Sequence, residues 1–93
     1  MAAMDLLGRR WNLRILWELR GGATGFRELR TRCDEMSPDT LSTRLRELEA
    51  AQLVEQTEAR TWALTQAGHQ LGPALKSLDR WAEAWAEAFD PDD

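Results

Sequence analysis

Leu41, Leu45 and Leu48 recur at helical spacing, and Asp39, Ser42, Thr43 and Arg46 fall on the opposite side of the same turn pattern. Ser37 stands just ahead as an N-cap, and Pro38 occupies the first helical position, where its missing N–H is not needed. The spacing therefore predicts a helix that opens at Ser37, with an apolar underside and a polar outer face. Directly after it, Leu53 and Val54 begin a short run, and Trp62 and Leu64 share one face by the period of two. These predict two strands, 53–57 and 60–64, with Glu58-Ala59 as the hairpin tip.

Upstream, one helix is expected over 4–20. Leu7, Trp11, Ile15 and Leu19 form one stripe, and Leu6, Leu13 and Trp17 lie roughly opposite. A helix apolar on two sides is buried on two sides, and the second side is expected to meet another chain. Gly21-Gly22 would end it. A short helix over 25–32 follows, with Thr24 as its expected N-cap and Phe26 and Leu29 facing inward. Cys33 to Met36 then form a turn. Downstream, Thr65 caps a long final helix over 66–89, which Pro73 breaks or kinks. Its stripe Leu71, Leu75, Leu78, Ala82, Trp85 and Phe89, with Trp81 at the edge, outruns what a small core can cover. The last four residues, Asp90-Pro91-Asp92-Asp93, read as a frayed acidic end.

The element order predicts an α+β, mainly helical fold, a winged helix-turn-helix with a short two-stranded wing and a long C-terminal dimerisation helix. Residues 1–93 read as one domain. Helices 4–20 and 66–89 are the expected dimerisation elements, 25–51 the helix-turn-helix and 53–64 the wing. In such a fold the helix opening at Ser37 enters the major groove of duplex DNA.

Charge complicates that reading. The net charge is −4, from 12 Lys+Arg and 16 Asp+Glu. Residues 1–46 carry nine Arg against six acidic residues, whereas residues 47–93 carry three basic and ten acidic ones. A basic first half can face phosphate while an acidic tail points away. At 93 residues the domain is small, with a thin stability margin that a partner would widen. A single cysteine excludes an internal disulfide framework and fits a reducing cytosol, so a cytoplasmic location is expected. No apolar run approaches the roughly 20 residues of a membrane span, and no signal-peptide pattern precedes Asp5.

Seven pieces of the chain, in order and with near-matching gaps, resemble the HxlR-type family, a bacterial branch of the MarR-like winged-helix regulators. They are Leu7-Gly8-Arg9-Arg10-Trp11, Ile15-Leu16-Trp17-Glu18-Leu19, Phe26-Arg27-Glu28-Leu29, Ser37-Pro38-Asp39-Thr40-Leu41-Ser42, Arg44-Leu45-Arg46-Glu47-Leu48, Leu53-Val54 and Leu64-Thr65-Gln66-Ala67-Gly68. The resemblance spans about residues 6–85. It implies a homodimeric transcription regulator, more often a repressor, whose first and last helices pair the subunits and whose hairpin reaches toward the minor groove. Three departures stand out. The hairpin is short, with Glu55-Gln56 where the family usually has a basic residue and Arg60 as its sole cation. Many members carry a Cys ahead of the first helix, which some use for redox sensing, and the sequence begins too late to show that position. Trp62 stands where Tyr is common, which keeps the packing and loses a hydroxyl.

The candidate DNA contacts follow from chemistry. Ser37, Pro38 and Thr40 sit at a helix N-terminus, whose free N–H groups and partial positive charge suit a phosphate. Ser42 and Thr43 can hydrogen-bond base edges, and Arg46 can pair bidentately with guanine. Arg44, nearer the flank, is expected to touch DNA backbone or an acidic neighbour. Arg27, with Arg30 and Arg32, would meet phosphates, and Arg60 extends from the wing. An ordinary amphipathic helix with a solvated face is the plain alternative.

Five tryptophans are many for this length. Core or interface roles are the simple reading of Trp11, Trp17, Trp62, Trp81 and Trp85. A second functional reading has Trp11, Trp17, Trp81 and Trp85 lining a cavity between subunits that takes a planar aromatic molecule, with weak or lost DNA binding. Cys33 is expected to be a buried apolar residue, and His69 a surface one. No metal-ligand cluster, phosphate loop, dinucleotide motif or nucleophile constellation is present, so neither a cofactor nor enzymatic activity is implied.

Overall fold

The computed structural model describes residues 2–89, and the acidic segment 90–93 lies outside them. Six helices and one hairpin follow one another: α1 (Ala2–Leu7), α2 (Asn12–Glu18), α3 (Phe26–Arg32), α4 (Pro38–Ala50), β1 (Val54–Gln56), β2 (Trp62–Leu64), α5 (Gln66–Gln70) and α6 (Gly72–Ala88). The architecture is that of a winged helix-turn-helix, mainly helical with one two-stranded antiparallel sheet.

The expected first helix is two. Gly8 closes α1, and a Cβ there would stand 2.8 Å from the Met4 carbonyl oxygen. Trp11 then adopts a left-handed backbone, φ 80°, and α2 starts after it. The Asn12 side-chain amide donates to the Leu6 carbonyl at 2.8 Å and braces the corner. Leu7 and Trp11 still pack on the core from their new directions, so the apolar stripe survives the break that periodicity could not reveal.

Thr24 is not the cap of α3. Gly25 holds that position without a side-chain bond. Thr24 instead exchanges both backbone hydrogen bonds with Trp62, at 2.8 Å each, and so covers the free edge of β2. The strands are shorter than expected, with Val54 opposite Leu64 and Gln56 opposite Trp62.

The final helix divides at Leu71, beside the Pro73 expected to break or kink it. Gly72-Pro73 starts α6, where proline's absent N–H is no loss. The Thr65 hydroxyl caps α5 by accepting from the Gly68 N–H at 3.1 Å. Gly68 lies under the hairpin base, where a Cβ would overlap the Leu53 carbonyl oxygen. The core joins Ile15, Leu16 and Leu19 of the α2 segment to Leu29, to Leu41, Leu45 and Leu48 of α4, and to Val54 and Leu64 of the hairpin. Burial of each such side chain contributes about 1.5–3 kcal/mol. From α6 only Leu75 enters this core, while Leu78, Trp81, Trp85 and Phe89 are 47–61% exposed.

Candidate nucleic-acid interface

Helix α4 is held from beneath. Its three leucines are buried, and the Ser37 hydroxyl accepts the Thr40 N–H at 3.3 Å, fixing the start of the helix. The opposite side therefore faces outward: Ser37, Pro38, Asp39, Thr43 and Arg46 are exposed, and Thr40, Ser42 and Arg44 are half-buried.

The turn into α4 is built from two consecutive left-handed residues, Asp34 at φ 59° and Glu35 at φ 57°. Arg30 donates from Nε to the Met36 carbonyl at 2.8 Å and closes the turn. Arg14 of α2 grips it from the other side, through the Arg32 carbonyl at 2.7 Å and the Asp34 carboxylate at 3.5 Å. Cys33 is fully buried here, and burial pushes its thiol pKa upward, with Arg14 opposing and Glu18 and Asp34 adding to the rise.

The arginines divide by what they touch. Arg30 is tied to the turn, and Arg32 to Glu28 at 2.8 Å and to the Glu18 carbonyl at 3.3 Å. Those guanidinium groups brace the helix-turn-helix rather than stand open for phosphate. Arg44 is bound to Glu47, its acidic neighbour one turn on. Arg27, Arg46 and Arg60 carry exposed side chains with no hydrogen bond or ion pair among the described residues.

Arg46 and Arg60 line one groove. A groove of about 480 Å³ runs between α4 and the hairpin, with Ser42, Arg46, Gln56 and Arg60 along it and Phe26, Leu45 and Trp62 at its base. Arg60 sits at the hairpin turn in a left-handed conformation, φ 64°, which the Thr57–Thr61 pairing stabilises through a 2.8 Å backbone bond and a 2.7 Å hydroxyl contact. Glu49 lines the same groove and sequence reasoning missed it. The signal was there: Glu49 follows Arg46 by three and Ser42 by seven, one helix face.

The chain matches the family model described as HxlR-like helix-turn-helix over residues 6–90. It belongs to the HxlR-like helix-turn-helix family. This HxlR-family chain is 33% identical over 91 residues to YvaP of Bacillus subtilis, an uncharacterized HTH-type transcriptional regulator, covering 91% of this chain and 84% of the relative. The crystal structure of quinone-bound YodB from B. subtilis superposes with a TM-score of 0.81 at 32% identity, covering 89% of this chain and 92% of that one. A possible HxlR family transcriptional factor from Thermoplasma volcanium gives a TM-score of 0.83 at 25% identity, covering 94% and 84%. The HxlR-family protein is thus an HTH-type, DNA-binding transcriptional regulator.

The alternative cavity of Trp11, Trp17, Trp81 and Trp85 is expected between subunits, and within one chain these side chains do not share a cleft. Trp17 lines clefts of about 660 and 430 Å³, and neither is lined by Trp11, Trp81 or Trp85. Trp81 and Trp85 stack along α6 at 6.0 Å, and Trp85 on Phe89 at 5.6 Å, facing outward. His69 is exposed. Among the described residues no group of acidic, His or Cys side chains could hold a metal ion, and no helix is long and apolar enough to cross a membrane.

Proposed function

We propose that this protein acts in the cytoplasm as a homodimeric repressor that reads a pseudo-palindromic duplex site through two copies of α4. The observation that carries the reading is the outward face of α4 beside three arginines without protein partners. Arg46, Ser42 and Thr43 read base edges, Ser37, Pro38 and Thr40 sit against phosphate at the helix N-terminus, Arg27 neutralises a second phosphate, and Arg60 contacts the backbone beside the groove. Arg44 is held by Glu47 and contributes only when that pair opens. Two such helices about 34 Å apart span one turn of DNA.

Dimerisation is supported by α6, whose Leu78, Trp81, Trp85 and Phe89 would otherwise leave a continuous apolar surface in water. A small-molecule effector belongs to the same proposal, since the related YodB has been crystallised with a quinone.

The test is affinity for duplex DNA from the protein's own promoter region at two salt concentrations. Contact with six to ten phosphates lowers affinity by about 10³–10⁵-fold between about 50 and 200 mM salt. Binding that is absent, or indifferent to salt, would overturn the proposal.

A further inference from the structure

The outer face of α4 carries both signs of charge. Asp39 stands in its first turn, Thr43 follows by four residues and Arg46 by seven, so the three share one side, opposite the buried Leu41, Leu45 and Leu48. All three are exposed. Arg46 is suited to guanine, whereas Asp39 has no task in that reading. Its carboxylate is costly there, since phosphates repel it and contact with a base strips its water.

The start of the helix does not depend on Asp39. The Ser37 hydroxyl already accepts the Thr40 N–H at 3.3 Å, and Pro38 fills the first position. Asp39 forms no ion pair among the described residues. A negative group anywhere in the first turn suits the helix dipole. Pro38 and Thr40, however, lie about 100° to either side, and position 39 is the one in that turn that lines up with Arg46.

The major groove decides what such a carboxylate can do. When ionised it only accepts hydrogen bonds. Cytosine presents an amino donor in that groove, guanine and thymine present keto acceptors, and adenine presents a donor beside an acceptor. Cytosine therefore offers the carboxylate a donor with no acceptor on the same base. Opposite a keto oxygen the carboxylate would be desolvated and unpaired. Such a group discriminates as much by exclusion as by attraction. Seven residues of helix span about 10 Å, close to three base-pair steps of about 3.4 Å each.

We propose that Asp39 is a specificity-determining residue, selecting in each half-site a cytosine within about three base pairs of the guanine that Arg46 reads. The inference rests on α4 being the helix that reads DNA, as set out above.

The experiment selects bound duplexes from a pool of random sequence, using the full chain as wild type, Asp39→Asn and Asp39→Ala, each checked for an unchanged melting temperature. Wild type is expected to enrich the guanine and a second G·C pair at fixed spacing. An asparagine side chain pairs with N6 and N7 of adenine. Asp39→Asn is therefore expected to move the preference at the second position from cytosine to adenine, and Asp39→Ala to erase it, with the guanine kept in both. On the selected duplex with that cytosine changed to thymine, wild type is expected to bind at least about fivefold more weakly, and Asp39→Ala about equally well. A gain in affinity shared by all sequences in both variants, with preferences unchanged, would make Asp39 a repulsive surface charge and overturn the proposal. Enrichment in which no position responds to Asp39 would also overturn it while leaving α4 as the reading helix. No enrichment by wild type would overturn both.

Discussion

One terminal nitrogen of Arg44 donates to both carboxylate oxygens of Glu47, at 2.9 Å each. Arg9, from the turn between α1 and α2, reaches the same carboxylate at 3.7 Å. Glu47 thereby engages one arginine of α4 and links that helix to the N-terminal segment. In Glu47→Gln the charge that restrains both is gone. Affinity for duplex DNA of any sequence is expected to rise, and the slope of log affinity against log salt to steepen by about one unit per subunit. An unchanged slope would mean Arg44 stays on the protein.

Arg46 and Arg27 are expected to differ in kind. Arg46→Ala should relax discrimination at one base pair of each half-site by about 1–3 kcal/mol, whereas Arg27→Ala should weaken all sequences alike and lower the salt slope by about one unit per subunit. Binding measurements on an operator and its single-base variants separate the two. Equal loss on every sequence for Arg46→Ala would take base reading away from that residue.

Gly68→Ala tests the seat of α5 beneath the hairpin. The new methyl would overlap the Leu53 carbonyl oxygen and press on the Leu64 side chain at 3.2 Å. The expected loss is about 3 kcal/mol in urea unfolding. Wild-type stability would show that the hairpin base can move aside.

Cys33 is expected to resist an aromatic disulfide reagent in the folded protein and to react on unfolding, because its side chain is fully buried. Burial holds its pKa above the ordinary 9.0. The unfolded chain therefore ionises first as pH rises, so the stabilisation is whole below pH 9.0 and is lost as pH climbs toward the folded pKa. Unfolding titrations of wild type and Cys33→Ala across alkaline pH should converge. Rapid thiol reaction at neutral pH in native protein would contradict the burial.

Trp85→Asp places a carboxylate in the apolar row of α6. Sedimentation should show monomers, since a desolvated charge opposes association. A dimer that survives the change would move the interface elsewhere.

The readable parts of the sequence were those governed by local spacing. Ser37, Pro38 and the leucines at 41, 45 and 48 specify the cap, the start and the buried side of α4, and the period of two places Leu64 inward. Thr65 before Gly68 likewise announced a cap. The site was legible as a polar face, because a helix that buries three leucines must turn its remaining residues outward.

What needed the folded chain were relationships between segments distant in sequence. Arg30 and Arg32 read as phosphate ligands until the turn and Glu28 engaged them. Thr24 read as a cap until the edge of β2 offered it two backbone bonds. The break at Trp11 left the apolar stripe intact, so no pattern marked it, whereas Pro73 announced the break at Leu71. Periodicity records which side of a segment avoids water; it carries no record of the partner that satisfies a given N–H or guanidinium. That choice is made only when the elements close on one another, and it decided which guanidinium groups the protein itself engages.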